Sequence, residues 1–261
     1  MNKAELINVL GNFCGKRDIQ NLTQKNLYSV YDIKKADVFV LFGGSILEGG
    51  NILAEAIKAE IAEKYIIVGG AGHTTDTLRE IVGKNFNGID TKNLSEAEIF
   101  NLYIKEMYGL QADYLECKST NCGNNITLLL ELLQINHIRC NSIILAQDAT
   151  MQYRMAATLK KYVSDEMLII NYATYQVHVI QKDDELMYQE QPLGMWKLDR
   201  YITLLMGEIP RLSDNENGYG PLGKNFISHV DIPQEVKYAF EELKGIFSES
   251  VREANPLYAS K

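Results

Sequence analysis

From about residue 36 onward, short apolar runs alternate with longer segments in which apolar residues return every three or four positions. A run without polar alternation, such as 36–42, fits a strand buried on both faces. Strands separated by helices imply a parallel sheet with right-handed crossovers. The runs predict strands at 36–42, 65–68, 114–117, 142–146 and 167–171, and the periodic segments predict helices at 50–63, 75–82, 96–108, 124–133 and 151–162. The helix from 96 has the clearest start, because Ser95 followed by Glu98 makes a capping box in which each side chain satisfies an orphan backbone N–H. Outside this block the pattern changes. Residues 3–31 read as two short helices, and 194–206 and 234–248 as two more, with no strand run between. Their apolar stripes are broad enough to pack on each other, which predicts a small helical subdomain formed by the two termini. The stretch from Ser213 to Gly223 is too rich in turn formers for helix or strand, and long ordered loops of this kind are often functional.

With 261 residues, 46% of them hydrophobic, the chain can bury a full core. Its formal charge of -8 and scattered lysines and arginines argue against a nucleic-acid partner, which needs a clustered cationic face. They leave room for a local cationic pocket and a small anionic ligand. The amino terminus runs into an amphipathic pattern, and no window of about 18 uncharged apolar residues occurs, so no integral membrane segment is predicted and a cytoplasmic location is expected. Cys14, Cys117, Cys122 and Cys140 show no CxxC spacing and no histidine at zinc-finger distance, so neither a structural zinc nor a disulfide framework is indicated, and mostly buried thiols are expected. Cys122 stands apart because it opens a helix, where a thiol pKa falls, although no base is paired with it in the sequence.

The junctions between strand-like and helix-like segments carry the candidate chemistry. Gly69-Gly70-Ala71-Gly72-His73-Thr74-Thr75 follows one apolar run and Gly43-Gly44-Ser45 follows another. Glycines before a hydroxyl cap leave backbone N–H groups facing open space, which suits a phosphate or carboxylate, and two such turns at neighbouring strand ends face one crevice. Neither is the dinucleotide fingerprint GxGxxG, and taken alone each is equally a tight turn. A third junction, Ser119 to Asn125, brings hydroxyls and amides through Thr120, Asn121 and Asn125, and it reads equally as a capped helix start. A fourth puts Gln147 and Asp148 at a strand end and Arg154 about two turns into the next helix, where it either reaches back to an anion or stands solvated. His73, Asp76, Glu96 and Asp148 suit general acid–base work, but no HxxxH or DxD spacing ties them together, and no metal site is assigned. His73, flanked by glycine on a turn, is the strongest single candidate, with Thr74 as the cap that holds it at the lip of the crevice. Glu96 has a structural explanation too, since a helix's first turn favours a carboxylate.

The chain resembles the YdcF proteins, members of the wider SanA/ElyC/YdcF domain family, over nearly its whole length. The residues that carry the likeness are Ala36-Asp37-Val38, Gly69 to Thr75, Glu96-Ala97, Ser119 to Gly123, Gln147-Asp148 with Thr150-Met151-Gln152, and the more specific distal pieces Asp199-Arg200-Tyr201 and Gly218 to Pro221. The resemblance implies an α/β fold: a Rossmann-like α/β/α sandwich with a mostly parallel sheet over 36–185, joined to an all-helical domain formed from 1–35 and 186–261. It also implies S-adenosylmethionine as the ligand, with reaction and physiological substrate open. SanA- and ElyC-like members carry a membrane anchor that is not read here. Asn124 stands where the family pattern has glutamate, so no catalysis is assigned to it, whereas Glu96 matches the family glutamate.

Three functions follow as expectations. In the first, a cytoplasmic protein binds a nucleotide-like anion, S-adenosylmethionine being the named cofactor. The amides of Gly43, Gly44, Gly70 and Gly72 cradle its charged end, while Asn121, Asn125 and Asp148 orient the rest. His73 and Glu96 transfer protons, and Arg154 stabilises developing negative charge. The second is a phosphoesterase or transferase on a phosphorylated envelope precursor. The third is a non-catalytic sensor or adaptor.

Overall fold

The computed structural model describes residues 1–72, 74–86 and 88–247. The chain begins with α1 (Lys3–Cys14) and α2 (Gln24–Tyr31), followed by β1 (Ala36–Phe42), α3 (Glu48–Lys58) and β2 (Ala62–Val68). Next come α4 (Thr75–Asn85), α5 (Glu96–Tyr108), β3 (Tyr114–Glu116), α6 (Cys122–Ile135), β4 (Ser142–Ala146), α7 (Gln152–Tyr162) and β5 (Leu168–Asn171). A hairpin of β6 (Val179–Lys182) and β7 (Glu185–Tyr188) precedes α8 (Leu198–Leu212) and α9 (Gln234–Ile246).

Strands β1 to β5 form one parallel sheet in the order β3-β2-β1-β4-β5, with Leu41 of central β1 paired to Ile67 on one side and Ala146 on the other. The apolar run of β1 is required by this position. Val38 and Val40 pack with Ile126 and Leu129 of α6 and Met155 of α7, while Phe39 and Leu41 face Leu53 of α3 and Phe100 and Ile104 of α5. Each fully buried side chain of this kind contributes roughly 1.5–3 kcal/mol. The result is a Rossmann-like α/β/α sandwich.

Predicted and observed spans coincide for β1, β4 and α5, and the Ser95–Glu98 capping box is formed. Helix α6 starts at Cys122, two residues earlier than predicted, because Asn121 is its cap. Helix α3 stops at Lys58, short of 63, where Glu60 takes a left-handed φ of 49° and the chain turns into β2. Edge strand β5 is covered by the segment after α1, through an antiparallel bridge of Arg17 with Tyr172 and the Asp18 carboxylate on Asn171 N–H (2.7 Å).

Helices α1, α8 and α9 share a second core, with Leu10, Leu205, Met206, Phe240 and Leu243 inside. Two differences from the sequence reading matter. Leu27 of α2 packs into the sheet's core, not this one. The hairpin β6–β7 joins the helices through Val179, so the cluster is not helical throughout, and the expected boundary at 185/186 falls inside β7. The hairpin closes on Asp183 and Asp184, both left-handed with φ of 50° and 65°, the twist a two-residue turn requires. Helix α8 runs past Gly207 and carries Pro210 in its last turn, where the missing N–H removes a single helical bond. The predicted end of the last helix, residue 248, lies outside the described residues. Among the described residues no helix is long and apolar enough to cross a membrane.

Candidate functional site

A cavity of about 720 Å³ opens above the carboxyl ends of β1, β2 and β4. It lies where the strand order reverses on either side of β1, the place at which open α/β sheets hold ligands. Its floor takes in Gly43, Gly44, Gly70, Glu96, Gln147 and Asp148; its wall includes Thr120, Asn121, Cys122 and Asn125 at the start of α6. Helix α8 roofs it with Arg200, Thr203, Glu208 and Arg211, and Trp196, Tyr219 and Phe226 add aromatic surface. The four strand-to-helix junctions therefore do converge. His73 lies outside the described residues.

Glu96 sits on the cavity floor, 7% exposed. The glycine loop is stitched to the start of α5, with Glu96 N–H donating to Gly70 O (3.0 Å) and Ala97 N–H to Gly69 O (2.8 Å). Thr74 and Thr75 hydroxyls donate to Glu96 Oε1 at 2.6 and 2.9 Å, and Gly72 N–H donates to the Thr75 hydroxyl at 2.7 Å. Burial pushes the Glu96 carboxyl up from its ordinary value, while those two hydroxyls and the charge of Arg79 pull it back. Thr74 thus serves the carboxyl. It makes no side-chain cap to α4, contrary to expectation.

The amide cradle is corrected in three of its four members. Gly43 N–H donates to Val68 O (2.7 Å), Gly70 N–H to Ser119 O (3.0 Å), and Gly72 N–H to Thr75 as above. A Cβ on Gly43 would stand 2.5 Å from Glu96 Oε2, and one on Gly70 would stand 2.2 Å from Ser119 O. Those glycines let protein segments touch each other. Gly44 alone faces open space, and among the described residues its N–H has no acceptor. Ser45 is fully buried, its hydroxyl has no partner among the described residues, and it does not line the cavity, so its expected ligand contact is withdrawn.

Asp148 and Arg154 also differ from expectation. Asp148 Oδ1 accepts from Thr150 N–H (2.8 Å), the Thr150 hydroxyl (2.7 Å) and the Tyr175 hydroxyl (2.8 Å), and Oδ2 accepts from Trp196 Nε1–H (3.1 Å). The carboxylate anchors the segment leading to α8 and is engaged by four protein donors. Arg154 donates from Nε to Glu208 Oε2 (2.6 Å) and from Nη2 to Glu208 Oε1 (3.0 Å), a bidentate pair with side chains 13% and 5% exposed. Burial works to lower the Arg154 pKa, but Glu208 and Cys122 together outweigh burial and hold the guanidinium charged. Arg154 is thus engaged by the protein itself, chiefly by α8.

At the start of α6, Asn121 Oδ1 accepts from Gly123 and Asn124 N–H, and Asn124 Oδ1 accepts in return from Thr120 and Asn121 N–H at 3.0 and 2.9 Å. Asn124 is the third residue of a capping box, where an amide oxygen accepts as a carboxylate would. An asparagine at this position therefore completes the box without a carboxylate. Asp76 is off the cavity, paired with Arg79 on the surface of α4. Of the thiols only Cys14 is buried, Cys122 and Cys140 are half-buried and Cys117 is exposed, so mostly buried thiols are not what the fold contains. Burial pushes Cys140 up to about 12. Among the described residues no group of three or more His, Cys, Asp or Glu is arranged to hold a metal ion.

The roof was missed from the sequence, although Arg200, Thr203, Glu208 and Arg211 recur at helical spacing along one polar stripe of α8. The loop carrying Tyr219 is tied by His229, whose two ring nitrogens lie 2.6 Å from Asp214 Oδ2 and 3.0 Å from Asp231 Oδ1. Both carboxylates accept from the imidazole when it is protonated, and Asp214 foremost raises its pKa. A scan against models of known protein families finds no match to this chain.

Proposed function

We propose that this chain is a YdcF-like cytoplasmic protein that binds a nucleotide-like small molecule, S-adenosylmethionine being the first candidate, in the cavity over the strand ends. The observation that carries the reading is the cavity itself: about 720 Å³ at the point of strand-order reversal, within the ~300–1,000 Å³ of small-molecule sites. Aromatic faces at Trp196, Tyr219 and Phe226 suit a planar base, and the polar floor suits the charged end. Glu96, buried and inclined to keep its proton, is the group available for proton transfer. Thermal denaturation with S-adenosylmethionine or an adenosine nucleotide tests the reading. A ligand at a hundred times its Kd stabilises by about 2.7 kcal/mol, and no shift with any of them overturns the proposal.

One observation favours a second reading, a non-catalytic sensor. Asp148 and Arg154, assigned to orientation and charge stabilisation, instead hold α8 and its approach over the site, so a ligand pressing on either moves the roof. Retained binding by Glu96→Gln, with no product formed by the unmutated protein, supports the sensor. Product formation that Glu96→Gln abolishes refutes it.

A further inference from the structure

We propose that Gln147 Nε2 anchors a single-anion subsite on the cavity floor, which accepts one carboxylate or phosphate group and disfavours a polyphosphate. The proposal rests on the cavity being the ligand site, as argued above, and adds which atoms meet the charged end and how much charge they tolerate.

Gln147 is 1% exposed. Every other polar atom it carries is engaged: its N–H donates to Gln152 Oε1 (2.9 Å), its carbonyl accepts from Thr174 N–H (2.9 Å), and its side-chain Oε1 accepts from Asp148 N–H (2.6 Å). That last bond fixes the amide's orientation and leaves Nε2 as the remaining donor, on the cavity wall and without an acceptor among the described residues. Nε2 is thereby open to the cavity, so a group arriving there gains a hydrogen bond that no described protein acceptor supplies.

Two features beside it point the same way. Leu41 pairs with Ala146, so Gly44 and Gln147 emerge from adjacent strand ends, and the Gly44 amide has no acceptor among the described residues. The 14-residue α6 presents its amino terminus to the same cavity, with its partial positive charge. Against this, the cavity's described arginines, Arg154, Arg200 and Arg211, face the carboxylates of Asp148 and Glu208, and Glu208 holds Arg154 bidentately and lies 4.0 Å from Arg211. Neutral donors on a wall whose charges nearly balance hold one anion well. Three or four phosphate charges find no comparable excess of cations to meet them.

The test pairs S-adenosylmethionine with its decarboxylated form, which lacks only the carboxylate, in calorimetric titrations of the full chain and of Gln147→Glu. The substitution keeps the acceptor for Asp148 N–H and replaces the donor by an acceptor. The unmutated protein is expected to prefer the carboxylate by about tenfold or more, with the ratio collapsing toward one in Gln147→Glu, and to bind AMP more tightly than ATP. Independently of folding in the variant, the Gln147 side-chain amide resonances of the unmutated protein are expected to move on titration with acetate or inorganic phosphate. Resonances unmoved by either anion, or a carboxylate preference that survives Gln147→Glu, overturn the subsite and leave Nε2 to water alone. If acetate moves them while no adenosine compound binds, the subsite stands and the nucleotide reading falls.

Discussion

The Arg154–Glu208 pair decides whether α7 and α8 are pinned to each other across the cavity, and a double-mutant cycle measures it. Both side chains are nearly buried, the contact is bidentate at 2.6 and 3.0 Å, and replacing one partner strands a charge between helices. Breaking a buried pair from one side costs about 3–5 kcal/mol, whereas exchanging both partners for apolar residues is often close to neutral. The single losses are unequal here. Glu208→Leu takes the carboxylate from both Arg154 and Arg211, while Arg154→Leu leaves Glu208 with Arg211 4.0 Å away. Urea unfolding followed by far-ultraviolet circular dichroism is expected to rank Glu208→Leu below Arg154→Leu, with the double leucine variant losing far less than the sum. A loss of about 1 kcal/mol or less for either single change, the range of exposed pairs, or simple additivity in the double, refutes the pin.

Two further outcomes follow from the floor. Because burial raises the Glu96 carboxyl above its ordinary 4.5, the native state keeps that proton to higher pH than the unfolded chain, so this group's stabilisation is full below about 4.5 and is lost as pH rises through the folded value. Glu96→Gln removes that loss; unfolding free energies from pH 4 to 8 should show a flatter variant, at least as stable as the original at neutral pH, and a variant that falls more steeply contradicts the argument. Gly44→Ala and Gly70→Ala should part company. Nothing lies within 4 Å of a Cβ at Gly44, so folding stability stays within about 0.5 kcal/mol while ligand-induced stabilisation shrinks, whereas at Gly70 the Cβ meets Ser119 O at 2.2 Å and costs about 1–3 kcal/mol or more. Equal thermal midpoints for the two would remove the distinction drawn between them.

The sheet was legible because its strands are buried on both faces, and an unbroken apolar run such as that of β1 has few other uses. The Ser95 helix start was legible because capping is a local event in sequence. The hairpin was not, since its turn is Asp183-Asp184 in place of the usual glycine-bearing pair, and its strands are only four residues each with one buried residue, Val179, between them. The roof escaped for a different reason: Glu208 is 54 residues from Arg154, and nothing local in either segment announces the partner.

The strand-end corners were read as ligand contacts because they concentrate glycine, hydroxyl and amide groups, and that reading overcounts for a physical reason. Each corner interrupts a sheet and starts a helix, so it carries orphan N–H and C=O groups that must be satisfied before any ligand arrives. Asn121, Asn124, Thr75 and Asp148 are consumed in that way, each by bonds to its own corner or to the chain packed against it. What a ligand can meet is the remainder: the Gly44 amide, Gln147 Nε2 and the Glu96 carboxyl on the floor, with aromatic faces above. Because the Gln147 and Glu96 side chains are held by bonds from Asp148 N–H and from the Thr74 and Thr75 hydroxyls, the site is preorganised, and a guest gains affinity without the cost of ordering it. Specificity in such a cavity depends on a small number of leftover donors, which is why exchanging the single Gln147 amide is expected to change ligand choice more than replacing any of the corner residues already spent inside the protein.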